Sequence, residues 1–212
     1  MQGLKELIAK GESQTLEFKF ELNSARKIAA TISAFSNAQG GKILVGVKDN
    51  GALAGIRLDE EVYVLDAAAS MYCDPPVTLK TRRWEVDGKF ILEAEVEESI
   101  HKPVKAQTEP EEWKAWLRVG ASNRLANPVH LALWQIRNPG KEVPAQFTEK
   151  EQKVLQVLQD KKWVSLNQAC KWSKLPRFLV AKTLAHFMQW GIVYTELEES
   201  GGFVFMLRED FP

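Results

Sequence analysis

Hydrophobic positions recur along the first part of the chain with two alternating periods. Leu16, Phe18 and Phe20 alternate with Glu17, Lys19 and Glu21, the two-residue repeat of a strand with one buried face. Asn23 or Ser24 then stands where a helix cap belongs, and Ile28, Ile32 and Phe35 follow at helical spacing. Gly40-Gly41 ends that helix, because glycine readily takes the left-handed conformation of a helix C-terminus. The apolar run "KILVGVK" predicts a buried strand, turned at Asp49-Asn50-Gly51 into "ALAGI" as a hairpin. A helix is expected over 59–72, stopped by Pro75-Pro76. Strands "VTLKTRRWEV" and "KFILEAEVE" flank the Asp87-Gly88 turn, and "WKAWLRVG" leads into a helix over 128–137.

The periodicity breaks at "RNPGKEVPAQ", where two prolines, a glycine and charged residues intervene. We therefore expect a first domain over 1–138, a linker over 139–146 and a second domain over 147–212. In the second, Thr148 and Glu151 have capping-box spacing ahead of Val154, Leu155 and Leu158. The segment "SLNQACKWSKL" comes next, then "PRFLVAKTLAHFMQWG" with Pro176 at its start and Gly191 at its end. Two strands close the chain around Ser200-Gly201-Gly202. Three helices followed by a hairpin is the element order of a winged helix-turn-helix. The expected fold class is α+β, a mixed α/β domain followed by a winged helix domain.

Composition narrows the chemistry. Basic and acidic residues balance at 28 each in 212 residues, so a nucleic-acid surface would have to be a local patch. Cys73 and Cys170 are far apart and the three histidines are scattered, which argues against a disulfide framework or a zinc site. The stretch "MQGLKELIAKGES" lacks the apolar core of a secretory signal, and no apolar run approaches the ~20 residues of a membrane span. The expectation is a soluble cytoplasmic protein with no membrane contact.

The glycine-rich joint "AQGGKIL" invites a phosphate-loop reading, but the order is helix, glycines, strand. A phosphate loop runs strand, glycines, helix, and Ile43 stands where it needs a hydroxyl. The "DNG" turn does not extend to Asp-x-Gly-x-Gly, since Leu53 occupies the second glycine position. Four stretches, "GESQTLEFK", "ISAFSNAQGGKILVGVKDNGALAGI", "ESIHKPV" and "WLRVGASNR", occur in the order and spacing of the Schlafen AlbA-type domain. Residues 10–137 resemble that family, whose members carry a DNA-binding label. The resemblance implies a compact α/β domain and nucleic-acid contact. In eukaryotic Schlafen relatives three carboxylates hold a divalent metal for RNA cleavage. By motif these correspond to Glu12, Glu17 and Asp49, which the resemblance makes candidate catalytic and metal-binding residues, with magnesium or manganese as the cofactor.

The residues themselves suggest where phosphate would bind. In "RVGASNR", Arg118 and Arg124 flank a turn in which Ser122, Asn123 and backbone N–H groups can serve an oxygen. Lys80, Arg82 and Arg83 form a second basic cluster, with Lys80 and Arg82 on one strand face and Arg83 on the other. In the second domain the recognition helix carries Arg177, Lys182 and His186 outward, with Leu179, Val180, Leu184 and Phe187 inward, and Lys171 and Lys174 precede it. Glu196, Glu198 and Glu199 on the wing would repel a DNA backbone. Trp163, Trp172 and Trp190 are expected in the core. The leading expectation is a DNA-binding transcriptional regulator on duplex DNA, acting as a homodimer and needing no cofactor. The alternatives are a metal-dependent endoribonuclease acting on structured RNA and a protein-interaction module.

Overall fold

The computed structural model describes residues 2–138 and 147–209. Two compact units divide at Leu125/Ala126. The expected linker over 139–146 lies outside the described residues. No helix among them is long and apolar enough to cross a membrane.

The first unit begins with helix α1 (Gln2–Ala9) and strand β1 (Leu16–Lys19), followed by α2 (Ala25–Asn37), β2 (Gly41–Val45), α3 (Leu58–Met71) and β3 (Cys73–Asp74). Strands β4 (Leu79–Val86), β5 (Lys89–Val96), β6 (Lys105–Glu109), β7 (Glu112–Val119) and β8 (Ser122–Leu125) complete it. One sheet has the order β1-β2-β5-β4, with β1 and β2 parallel and the other pairs antiparallel. A second sheet has the order β3-β6-β7-β8 and is antiparallel throughout.

Helix α2 explains how the two sheets coexist. Every residue from Ile28 to Asn37 is buried. Ile28, Ile32 and Phe35 join Ile43, Val45, Leu92 and Ala94 in the core on the first sheet. Thr31, Ser33 and Asn37 meet the second sheet, where Ser33 and Asn37 bond main-chain groups of Val104 and Trp116 and Thr31 accepts from the Asn123 side chain. Asn37 donates to the carbonyls of Val104 (2.7 Å) and Trp116 (2.9 Å) and accepts from the Val104 N–H (2.8 Å). Ser24 caps α2, its hydroxyl accepting from the Lys27 N–H. The opposite face of the first sheet is covered by α1, whose Leu4 packs with Leu16, Phe18, Leu44 and Ile91.

The glycine joint is a packing device. Gly40 has φ +73°, and a Cβ there would sit 2.7 Å from the Val96 carbonyl oxygen. At Gly41 a Cβ would lie 2.7 Å from the Phe35 ring. The joint lies at the end of α2, where free carbonyls rather than N–H groups project, so it offers an anion nothing. The expected "ALAGI" strand reduces to one bridge between Val47 and Leu53.

The second unit comprises α4 (Pro128–Arg137), α5 (Glu149–Asp160), β9 (Val164–Ser165), α6 (Leu166–Ser173), α7 (Arg177–Gln189), β10 (Val193–Leu197) and β11 (Phe203–Leu207). Its sheet has the order β10-β11-β9 and is antiparallel. Thr148 and Ser165 each form a capping box, with Glu151 and Gln168. Helix α4 differs from expectation: expected as the last element of the first domain, it packs in the second unit. Its Val129 and Leu133 join Val180, Leu184 and Phe187 in one core, and Arg137 Nε donates to Gln189 Oε1 (2.7 Å).

Candidate nucleic-acid interface

The "RVGASNR" stretch forms the β7–β8 hairpin, turned at Gly120 with φ +58°. Arg118 points into the protein, its side chain 0% exposed. Four hydrogen bonds and one ion pair engage its guanidinium. Nε and Nη2 reach the Ser13 carbonyl (3.1 and 2.9 Å), Nη2 also reaches the Leu16 carbonyl (3.0 Å), and Nη1 reaches Asn123 Oδ1 (3.0 Å) and Glu17 Oε2 (2.7 Å). Its guanidinium also lies 5.0 Å from the centre of the Phe35 ring. Asn123 passes the network on, its Nδ2 donating to Thr31 Oγ1 (2.9 Å) on α2. Gln14 clamps the hairpin from outside, donating to the Arg118 carbonyl (2.7 Å) and accepting from the Gly120 N–H (2.8 Å).

This corrects the expectation for Arg118, because a guanidinium with no exposed surface, bonded and ion-paired inside the fold, is not presented to a phosphate. Asn123 is likewise committed to the hub. Ser122 and Arg124 remain exposed on β8.

The three carboxylates do not assemble. Glu12 lies in the loop before β1, and its Oε1 accepts the Phe18 N–H (3.0 Å). Glu17 is buried and ion-paired with Arg118 and Lys19. Asp49 is exposed in the turn after Val47, where Asn50 supplies the turn's side-chain acceptor, to the Ala52 N–H (3.0 Å). Among the described residues no group of three or more His, Cys, Asp or Glu is placed to hold a metal ion. A cation bound at Glu17 would compete with a guanidinium already in contact, so these residues do not fit the metal site that the resemblance implies.

Sequence reasoning missed a second buried acid, Glu93 on β5, which bonds Lys42 (2.5 Å) and Trp84 Nε1 (2.7 Å). Its carboxylate holds the Lys42 ammonium above the ordinary lysine pKa. In "KFILEAEVE" Glu93 shares its strand face with Lys89, Ile91, Glu95 and Glu97, so the local pattern reads as solvated and carries no signal of its burial. The β4 cluster is committed within its own sheet. Lys80 pairs with Glu97, Arg82 stacks 3.8 Å over Trp84, and Arg83 lies 3.9 Å over Phe90.

The second unit presents its charges differently. On α7, Val180, Leu184 and Phe187 are buried, while Arg177 and Lys182 are exposed together with Phe178 at 69%. Arg177 bonds Asn167 of α6. Lys174 ends α6 in the left-handed conformation, φ +56° and ψ 28°, and is exposed, as is Lys171. His186 is half-buried and stacked on Trp190 at 5.6 Å, and burial pushes its pKa down. Residues 150–182 carry eight lysines and arginines against Glu151 and Asp160. The β10–β11 hairpin instead exposes Glu196, Glu198 and Glu199. Two tryptophans depart from expectation: Trp163 and Trp172 are each 41% exposed.

No curated protein matches the chain. The crystal structure of the DIP2311 protein from Corynebacterium diphtheriae matches with a TM-score of 0.50 and 18% identity, over 74% of this chain and 39% of that one. The chain therefore spans well under half the length of that protein, and the likeness is one of fold. The N-terminal domain of a RecG-related protein from Nitrosomonas europaea matches with a TM-score of 0.40 and 22% identity, over 57% of this chain and 88% of that one. The family model for Schlafen, AlbA_2 covers residues 12–127, from Glu12 to the Asn127 cap of α4. That span takes in the Arg118 hub, the Asn37 clamp and the glycine joint, and on it the chain belongs to the Schlafen, AlbA_2 family.

Proposed function

We propose that the protein is a DNA-binding transcriptional regulator in which α5, α6, α7 and the β10–β11 hairpin act as a winged helix-turn-helix. The observation that carries this reading is the exposed face of α7. Arg177, Phe178 and Lys182 share it, Lys171 and Lys174 precede it, and none of these cations has an acidic partner among the described residues. A helix with two outward cations and an aromatic suits the major groove, where cations meet phosphate and guanine edges and apolar groups meet the thymine methyl. The acidic hairpin would be repelled by the backbone, so it turns away from the duplex. Arg124 and Ser122 on β8 are the first unit's remaining candidates for phosphate. A homodimer would place two α7 helices in successive major grooves.

The test is fluorescence anisotropy of a labelled random-sequence duplex against the full chain at several salt concentrations, with structured RNA as competitor. Salt-dependent binding that RNA fails to displace is expected. The double variant Arg177→Ala/Lys182→Ala should flatten the slope of log K against log salt by about 1.8, two phosphate contacts at ~0.9 each. Unchanged binding in that variant overturns the assignment to α7, and displacement by RNA overturns the preference for DNA.

A further inference from the structure

We propose a second nucleic-acid site on the second unit: the groove between α5 and α6 takes an unpaired nucleotide of a single strand. The base would lie against Trp172, with the adjoining phosphates on Lys153 and Lys161. This site does not rest on the assignment of α7 as a recognition helix.

The groove encloses about 430 Å³ and is lined by Lys153, Gln156, Asp160, Lys161, Trp172 and Ser173, among others. That volume is within the range of small-ligand sites, roughly 300–1,000 Å³. Trp172 is 41% exposed, with the Lys161 ammonium 5.2 Å from the ring centre. An exposed aromatic beside positive charge is what a base-stacking platform requires, and every base has a face to offer it. Asp160 is the one acid lining the groove, and its Oδ1 is occupied by Gln156 Nε2 (2.8 Å). Neither Lys153 nor Lys161 has an ion-pair partner among the described residues.

Lys161 has two roles in sequence. Without a strand its ammonium lies against the indole; with one it transfers to a phosphate oxygen, exchanging a cation–π contact for a charge-assisted hydrogen bond. Beyond the groove the chain continues with Lys162 and the exposed Trp163, which offer a cation and a ring to a neighbouring nucleotide. A duplex keeps its base faces stacked internally, so a ring in this groove reads only an unpaired base. This makes a single strand the occupant.

The test compares a labelled oligothymidylate single strand with a blunt duplex, both titrated with the full chain. Trp172→Ala should weaken single-strand binding by about five- to a hundredfold, the range for loss of one stacked base. Trp172→Phe, which keeps a ring, should retain most of it and shows that the alanine result is not a folding defect. Duplex binding should stay within twofold in both. Lys161→Ala should lower the single-strand salt slope by about 0.7. The proposal is overturned if the wild-type chain does not bind the single strand at low salt, if Trp172→Ala binds it unchanged, or if Arg177→Ala/Lys182→Ala weakens both ligands equally. Loss of duplex binding alone in that double variant leaves this site standing, and retention of duplex binding removes only the α7 reading.

Discussion

The two units treat charge in opposite ways. All nine ion pairs among the described residues lie in the first unit, including the buried Arg118–Glu17 and the pair of buried Glu93 with half-buried Lys42. The second unit has none among them, although residues 150–182 carry eight cations. Charges neutralised inside a fold fix its architecture, whereas charges left in water at modest desolvation cost are available to an outside anion. The polar motif residues that characterise the first unit therefore hold two sheets to one helix. The surface we propose for a polyanion lies on the second unit.

Arg118 breaks or confirms this contrast with the largest expected effect. Arg118→Met leaves Glu17 buried with only Lys19 and leaves the carbonyls of Ser13 and Leu16 with only their mutual backbone bonds. Removing one partner of a buried pair costs about 3–5 kcal/mol. Arg118→Lys should recover little of this, since an ammonium has three donors and cannot reproduce the guanidinium fork. Urea unfolding followed by far-UV circular dichroism measures the loss. Duplex affinity per folded molecule should not change. A stable Arg118→Met that has lost duplex binding would return Arg118 to the interface and erase the difference between the units.

Much of this architecture could be read from the chain, for reasons specific to each element. The period of α2 and the capping box at Thr148 are local patterns that agree with the tertiary structure, whereas the alternation around Phe18 marked the strand but not its burial, since Glu17 is buried and Phe20 is 50% exposed. Helix α4 was legible as a helix but not as part of the second unit, because nothing in its own sequence says which apolar surface Val129 and Leu133 will meet. Arg118 misled for a similar reason. An arginine beside a glycine-serine turn looks the same whether it faces water or points inward toward Glu17, which lies 101 positions away in sequence. On α7, by contrast, amphipathic spacing alone separates Arg177 and Lys182 from Val180 and Leu184, so its exposed cations were predictable. Trp163 and Trp172 were misread because hydrophobic type was taken as burial, and large aromatics on a small unit often keep one edge wet.

An intermediate effect is expected from His130, the titratable group buried most deeply in the second unit's core. It packs edge-on against Phe203 at 4.4 Å, its Nδ1 has no hydrogen-bond partner among the described residues, and burial pushes its pKa down to about 4 from 6.5. Between those values the unfolded chain binds a proton that the folded chain does not. Stability is therefore full above pH 6.5, falls as the pH is lowered, and is reduced by about 3 kcal/mol from this group once the pH passes below 4. His130→Phe should flatten that part of the stability profile. Denaturation midpoints between pH 4 and 7 test this, and an unchanged slope in the variant would place the acid sensitivity elsewhere.

The smallest effect is expected from divalent cations. If Glu12 and Glu17 are architectural, as their bonds to the Phe18 N–H and to Arg118 indicate, magnesium or manganese has no preformed ligand set to bind. A site filled at a hundred times its dissociation constant would stabilise the fold by about 2.7 kcal/mol, a shift of several degrees in Tm. We expect less than about 1 °C at millimolar metal, in the wild type and in Glu12→Gln alike, since the glutamine oxygen can still accept from Phe18. A wild-type rise of several degrees that Glu12→Gln and Asp49→Asn each abolish would mean that the carboxylates gather around the ion and that Glu17 leaves Arg118 to join them. The charges of the first unit would then be exchangeable rather than fixed, and the contrast between the two units would describe only the metal-free protein.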